Sequence, residues 1–374
     1  MSSVMTMMRW ILVGFAVLVL TSVAAGQGFQ EPTADQGRLQ ADRVRYDAKQ
    51  KIFTAEGNVH LVMGDVEVHA KRARVEQIPQ RVTASGDVLV VQRETSLRAA
   101  EVIYEMRPGL VNASGAVFVA WRDLIVNAPA LKYSVRTEQV AAQGGVRLAQ
   151  GTSILTAQTL DADLRAKRAE ATGKAKLVRA GGGLAGTQDR VASALAQEET
   201  TITAARMTFR WDTNEARAFD GVTVIQPDKT ARAKEAFYSE TAGRIELQGE
   251  VVVEQLSGEW LVKGKVIDAP TDEASKKALA SKTTLTTARL VIELKARNML
   301  AEENVTVTQQ ARTATGSRAT YTDKDKLLVV TGNVRMREED GSWLRADRVV
   351  ISLIEETFEA LGNVETEFRV KRGK

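Results

Sequence analysis

His60 and His69 are the only histidines in a chain of 374 residues that also lacks cysteine. Imidazoles at short spacing can bind a transition metal when a third ligand and a supporting shell exist. These two bracket the stretch "HLVMGDVEVH", where no carboxylate stands out as the third ligand, so no metal and no cofactor is assigned. A phosphate-binding loop is imitated by "GEWLVKGK" (Gly258–Lys265), but it has one residue too many and carries Val266 where Ser or Thr belongs. Asp161 and Asp163 read as a solvated strand face. Lys71, Arg72 and Arg74 could meet phosphates, and a solvated strand edge accounts for them as well. Without a thiol, and with both histidines outward, few nucleophile–base pairs can be drawn, so the chain is not expected to be an enzyme.

The elements that would carry these residues repeat. "ADRVRYDAKQKIFTAEGNVHL" (Ala41–Leu61) is echoed by "AAEVIYEMRPGLVNASGAVFV" from Ala99 and by "APALKYSVRTEQVAAQGGVRL" from Ala128. A Gly-x-Val element falls at Gly57, Gly86, Gly115, Gly144 and Gly173, each 29 residues after the last. Gly249, Gly332 and Gly362 continue it, and Asp220 and Glu303 occupy the same slot in two further copies. Ten copies result. All five tyrosines of the chain stand at one position of the repeat: Tyr46, Tyr104, Tyr133, Tyr238 and Tyr321.

Apolar and polar residues alternate on either side of the Gly element, as in half-buried strands. Gly64-Asp65 is a two-residue loop with Gly first, the signature of a type II′ hairpin. That turn pairs Leu61 with Val68 and Val59 with Ala70. A second loop, around Lys49-Gln50, pairs Tyr46 with Phe53 and Val44 with Ala55. Short loops at both ends require antiparallel strands. The parity slip between Ala70 and Ala73, and Gly57 in mid-strand, predict a bend through a bulge. The expected fold is all-β: an elongated open β-jellyroll built from about ten 29-residue antiparallel two-strand repeats.

Composition adds limits. Lys plus Arg is 51 against 47 Asp plus Glu, a net charge of +4 with no basic run interleaved with aromatics, so nucleic acid is not an expected partner. Residues 1–25 read as a secretory signal peptide: Arg9, an apolar run from Trp10 to Leu20, and small residues before cleavage after Ala25. An uncleaved anchor is the alternative. Repeats 1–5 then occupy 39–180 and repeats 6–7 occupy 202–268, ending in a degenerate half-copy (Glu259–Ile267). Repeats 8–10 occupy 285–370. Polar insertions at 181–201 and 269–284 separate the three blocks.

The A-x-x-V-x-Y strand followed by a-x-G-x-V, repeated from Leu39 to about Phe368, resembles the LptA/OstA-type periplasmic lipopolysaccharide-transport family. That family includes the N-terminal domain of the outer-membrane assembly protein. The resemblance implies a periplasmic carrier that holds lipopolysaccharide, or a similar amphiphile, by its acyl chains and passes it from inner to outer membrane. The implied groove is the apolar stripe: Val44, Tyr46, Phe53, Val59, Leu61, Val68, Val88, Tyr104, Val117, Tyr133, Val146, Phe209, Val222, Tyr238, Val251, Val305, Tyr321 and Val334. It also implies docking of the edge strands, Leu39–Tyr46 and Val364–Val370, onto inner- and outer-membrane transport components, or head-to-tail self-association. The competing expectation is a structural or adhesive β-repeat scaffold with a filled core and no ligand.

Overall fold

The computed structural model describes residues 37–180, 199–257, 273, 276–277, 280–352 and 357–369. The leader, most of both insertions and the half-copy at Glu259–Ile267 lie outside the described residues. The described part is nearly all strand, antiparallel throughout, and the sheet stays open. It divides into two compact units. One runs to Val178 and adds Ala205–Asn214; the other takes Arg179–Ala204 and the residues from Glu215 onward.

In the first unit, β1 (Gly37–Gln40) and β2 (Arg43–Asp47) precede β3 (Ile52–Met63), β4 (Val66–Glu76), β5 (Arg81–Gln92) and β6 (Thr95–Glu105). β7 (Leu110–Trp121), β8 (Leu124–Ser134), β9 (Gln139–Gln150), β10 (Ser153–Asp163) and β11 (Arg168–Arg179) follow. β12 (Thr200–Arg210) and β13 (Glu215–Gln226) lead into β14 (Lys229–Ser239), β15 (Arg244–Gln255), β16 (Thr283–Glu293) and β17 (Asn298–Gln309). The chain ends with β18 (Arg312–Thr322), β19 (Leu327–Arg337), β20 (Trp343–Ser352), β21 (Thr357–Leu361) and β22 (Glu365–Glu367). β12 starts at Thr200 and β16 at Thr283, so each begins two residues inside the expected insertion. β15 pairs directly with β16, Val253 opposite Leu285.

The hairpin registers are those the turns dictate. Val59 faces Ala70 and Leu61 faces Val68; Tyr46 faces Phe53 and Val44 faces Ala55. Gly64 takes a positive φ of 59°, as the first position of a type II′ turn requires. The opposite hairpins are four-residue turns that stack on one another. Met106 N–H donates to the Gln80 carbonyl (3.0 Å), Val135 N–H to Gly109 (2.8 Å) and Leu164 N–H to Glu138 (2.9 Å). The 29-residue period thus becomes a ladder of turn-to-turn hydrogen bonds.

Every copy turns a corner at the Gly element. Two consecutive residues there adopt φ between 44° and 98°, from Gly57-Asn58 to Gly362-Asn363. The strand pairing slips at the same place, between Glu56 and Val59 in β3 and between Ser114 and Val117 in β7. In the first unit, Val82, Ala84, Val102 and Tyr133 from one side of the corners share a core cluster with Val88, Val90, Leu97 and Val117 from the other. The bent strands therefore fold their two halves onto each other.

The copy at Glu303-Asn304 makes this corner without glycine, at φ 64° and 53°. Thr287 compensates: its hydroxyl donates to the Glu302 carbonyl at 2.6 Å, with the Glu303 carbonyl at 3.2 Å. Left-handed backbone costs a residue with a Cβ about 1–2 kcal/mol. Glu303→Gly is therefore expected to raise stability by about 1 kcal/mol, after the added freedom of the unfolded glycine is subtracted. A urea midpoint equal to or below the wild type would show that no strain resides there.

Candidate functional site

The apolar stripe is the largest candidate, and the structure sorts its members. Thirteen are buried: Val59, Leu61, Val68, Val88, Val117, Tyr133, Val146, Val222, Tyr238, Val251, Val305, Tyr321 and Val334. The valines that follow the corners range from 0% exposed at Val251 to 4% at Val146. They are packed core, shielded by the sheet's own side chains. Burial pushes the Tyr133 phenol up to about 12, with Glu138 adding to the shift. Burial also raises Tyr238 and Tyr321, and the Tyr321 hydroxyl donates to Asp323 Oδ1 at 2.9 Å.

Phe53, Tyr104 and Phe209 are half-buried. Val44 and Tyr46 depart from the expected interior: each is 46% exposed, because β2 ends the sheet and no further copy covers it. The Tyr46 ring stacks on Phe53 with centroids 4.4 Å apart.

A second set of apolar residues was missed by counting from the Gly element. Met106, Val111, Val135, Val140 and Leu164 are partly buried and, with Val75 and the stripe's own Tyr104, pack against the first unit's core. Met106, Val135 and Leu164 open successive four-residue turns and lie in the stacked row described above. Their 29-residue spacing was the signal that would have found them. This row is partly buried and packs against the core.

The outward face carries charge. Glu246 is held by Arg289 (2.7 Å) and Arg244 (2.6 Å), and Arg289 reaches Glu302 (2.6 Å). The Arg289 hydrogen bond holds the Glu246 carboxyl below its ordinary range. Its contribution to stability is therefore present above the unfolded carboxylate range and fades as pH falls through the lowered value. The network reads as a structural clamp across β15, β16 and β17.

His60 and His69 face each other across β3 and β4, their rings stacked 4.5 Å apart at 6°. The expectation that no carboxylate joins them is corrected. Glu67 Oε2 lies 3.8 Å from His60 Nε2 and 4.0 Å from His69 Nε2. The strand period explains it: Glu67 is two residues from His69 on the same face and diagonal to His60. Gly258–Lys265 lies outside the described residues.

The two sheet ends share one design. Among the described residues β1 and β2 pair only with β3, and β21 and β22 only with β20. The first edge, expected as one strand over Leu39–Tyr46, is two segments broken at Ala41-Asp42. The last is broken at Gly362-Asn363, and Val370 lies outside the described residues. Each break carries the same clasp. Asp42 N–H donates to Gly57 O and Asn58 Nδ2 to Asp42 Oδ2 (2.8 and 3.0 Å). Asp347 N–H donates to Gly362 O and Asn363 Nδ2 to Asp347 Oδ2 (both 2.8 Å). Exposed apolar residues gather at these ends: Val44 and Tyr46 on β2, and Leu361, Val364 and Phe368 at the other edge.

Two family models match the chain. Residues 125–275 match the "LptA/(LptD N-terminal domain) LPS transport protein" family, and residues 226–339 match "Lipopolysaccharide-assembly, LptC-related". They cover 151 and 114 residues and overlap over 226–275. Both families are transport proteins, not enzymes. No curated protein matches. Among solved structures, LptH from Pseudomonas aeruginosa, the LptA-homologous periplasmic component of the lipopolysaccharide transport device, is 18% identical. The match covers 30% of this chain and 85% of LptH at a TM-score of 0.29. The WD40 domain of SCAP from fission yeast is 9% identical over 92% of this chain and 90% of that one, at 0.12. At these scores neither superposition bears on function.

Proposed function

We propose, from the premise that this chain belongs to the LptA/OstA-type family of lipopolysaccharide-transport proteins, that it carries lipopolysaccharide through the periplasm by its acyl chains. The observation that carries this reading is the pair of family matches across 125–339. The ligand enters at the apolar rim formed by Tyr104, Met106, Val135 and Leu164, and its chains part the two halves of the bent strands. Each methylene transferred from water is worth about 0.8 kcal/mol, so a single acyl chain is held without any specific polar contact. The edge strands dock inner- and outer-membrane transport components, or a second copy, by strand addition, and lipid passes along the joined interiors from inner to outer membrane. The broken edges and their exposed apolar side chains support this docking.

The close packing of the thirteen buried stripe residues favours the second reading, a scaffold with a filled core. Photo-crosslinking separates the two. With a photoreactive residue at Met106, Val135 or Leu164, lipopolysaccharide should be captured. The same residue at the outward, exposed Ala116 or Lys132 should capture little. Equal capture on both faces, or none at the rim, sinks the carrier reading.

A further inference from the structure

We infer that His60, Glu67 and His69 form a binding site for a divalent transition metal of the zinc class on the outward face of the first hairpin. The site lies apart from the apolar interior and does not depend on the lipid reading. One ligand atom from each residue lies within 4.8 Å of the other two. The carboxylate stands 3.8 and 4.0 Å from the two imidazole Nε2 atoms, too far for a hydrogen bond to either. His60 Nε2 is shielded from solvent and has no hydrogen-bond partner, so a lone pair or a proton there is left unmet. Two sides of the triangle are 3.8 and 4.0 Å and the third atom pair lies within 4.8 Å, while the rings are parallel, so both imidazoles must turn to bring their lone pairs onto one ion at the about 2.0–2.2 Å of zinc sites.

The scaffold favours this. His60 and His69 are directly paired across β3 and β4, between the Val59–Ala70 and Leu61–Val68 pairs, of which Val59, Leu61 and Val68 are buried. Their backbones are fixed, and only side-chain torsions remain to be ordered. Two nitrogens and one carboxylate oxygen suit zinc, copper or nickel, and are poor ligands for calcium or magnesium, which take oxygen donors. The fourth position is open to water or to an external donor. The rest of the chain offers no competing imidazole or thiolate, since it has two histidines and no cysteine.

The test uses untagged full-length chain, because a polyhistidine tag would mask the site. Calorimetric titration with zinc chloride after chelator treatment should show one bound ion per chain. Zinc should also raise the thermal midpoint. His60→Gln and His69→Gln should each weaken binding about tenfold or more, Glu67→Gln should weaken it by a similar factor, and the double His variant should abolish it. Circular dichroism checks that each variant stays folded, and the two imidazole NMR signals of the wild type should both move with zinc. A wild-type chain that leaves dialysis against zinc without metal overturns the proposal. So does zinc binding that survives in the folded double variant.

Discussion

Val117→Glu is expected to lower the stability of the chain by more than about 4 kcal/mol, while Ala116→Glu, one residue away, changes it by less than about 0.5 kcal/mol. Val117 is 2% exposed and sits in the cluster with Leu97, Ala99 and Leu131, opposite Ala128 on β8. A carboxylate there loses water and gains no partner, so its pKa rises. The penalty is smallest below the unfolded carboxylate value and grows as pH rises through it, because the unfolded chain alone then ionises freely. Ala116 is exposed at φ 54°, and other copies place Asp87 or Glu250 in its slot. Urea unfolding of both variants at neutral and acid pH checks this. Matching midpoints for the two would mean that Val117 is not enclosed by the sheet. The result also sets a rule for lipid studies: charge in the buried stripe tests folding, and transport is better tested at the rim.

The second large effect lies at the corner itself. Gly115→Val is expected to cost about 2–5 kcal/mol, the sum of left-handed strain and overpacking. Gly115 holds φ 79°, and a Cβ there would come 2.5 Å from the Ala100 Cβ on the neighbouring strand. Gly145→Ala supplies the contrast. It too has positive φ, 98°, but nothing lies within 4 Å of its Cβ position, so strain alone remains, about 1–2 kcal/mol. Equal losses in thermal unfolding for the two variants would rule out close approach of the strands as the reason for glycine at this slot.

Much of this architecture was determined by the sequence alone, because its causes are local. A II′ turn at Gly64-Asp65 fixes the β3–β4 register, and a register with period 2 decides which side chains share a face. The Gly slot marked the bulge because few other residues tolerate consecutive left-handed conformations. The repeat, 29 residues apart from Gly57 to Gly173 and resumed after each insertion, then placed the same corner ten times. Tertiary structure alone decided what those side chains meet. Tyr46 and Tyr133 occupy one slot of the repeat, yet Tyr46 is 46% exposed and Tyr133 4%, since Tyr133 has strands on both sides and Tyr46 has one. Glu303 turns a corner without glycine because Thr287, on the paired strand, binds the carbonyls of the bend. Glu67 approaches both histidines because cross-strand pairing converts a gap in sequence into a diagonal contact. Local torsions set the path of each strand, but burial and ligand geometry depend on which copies lie beside it.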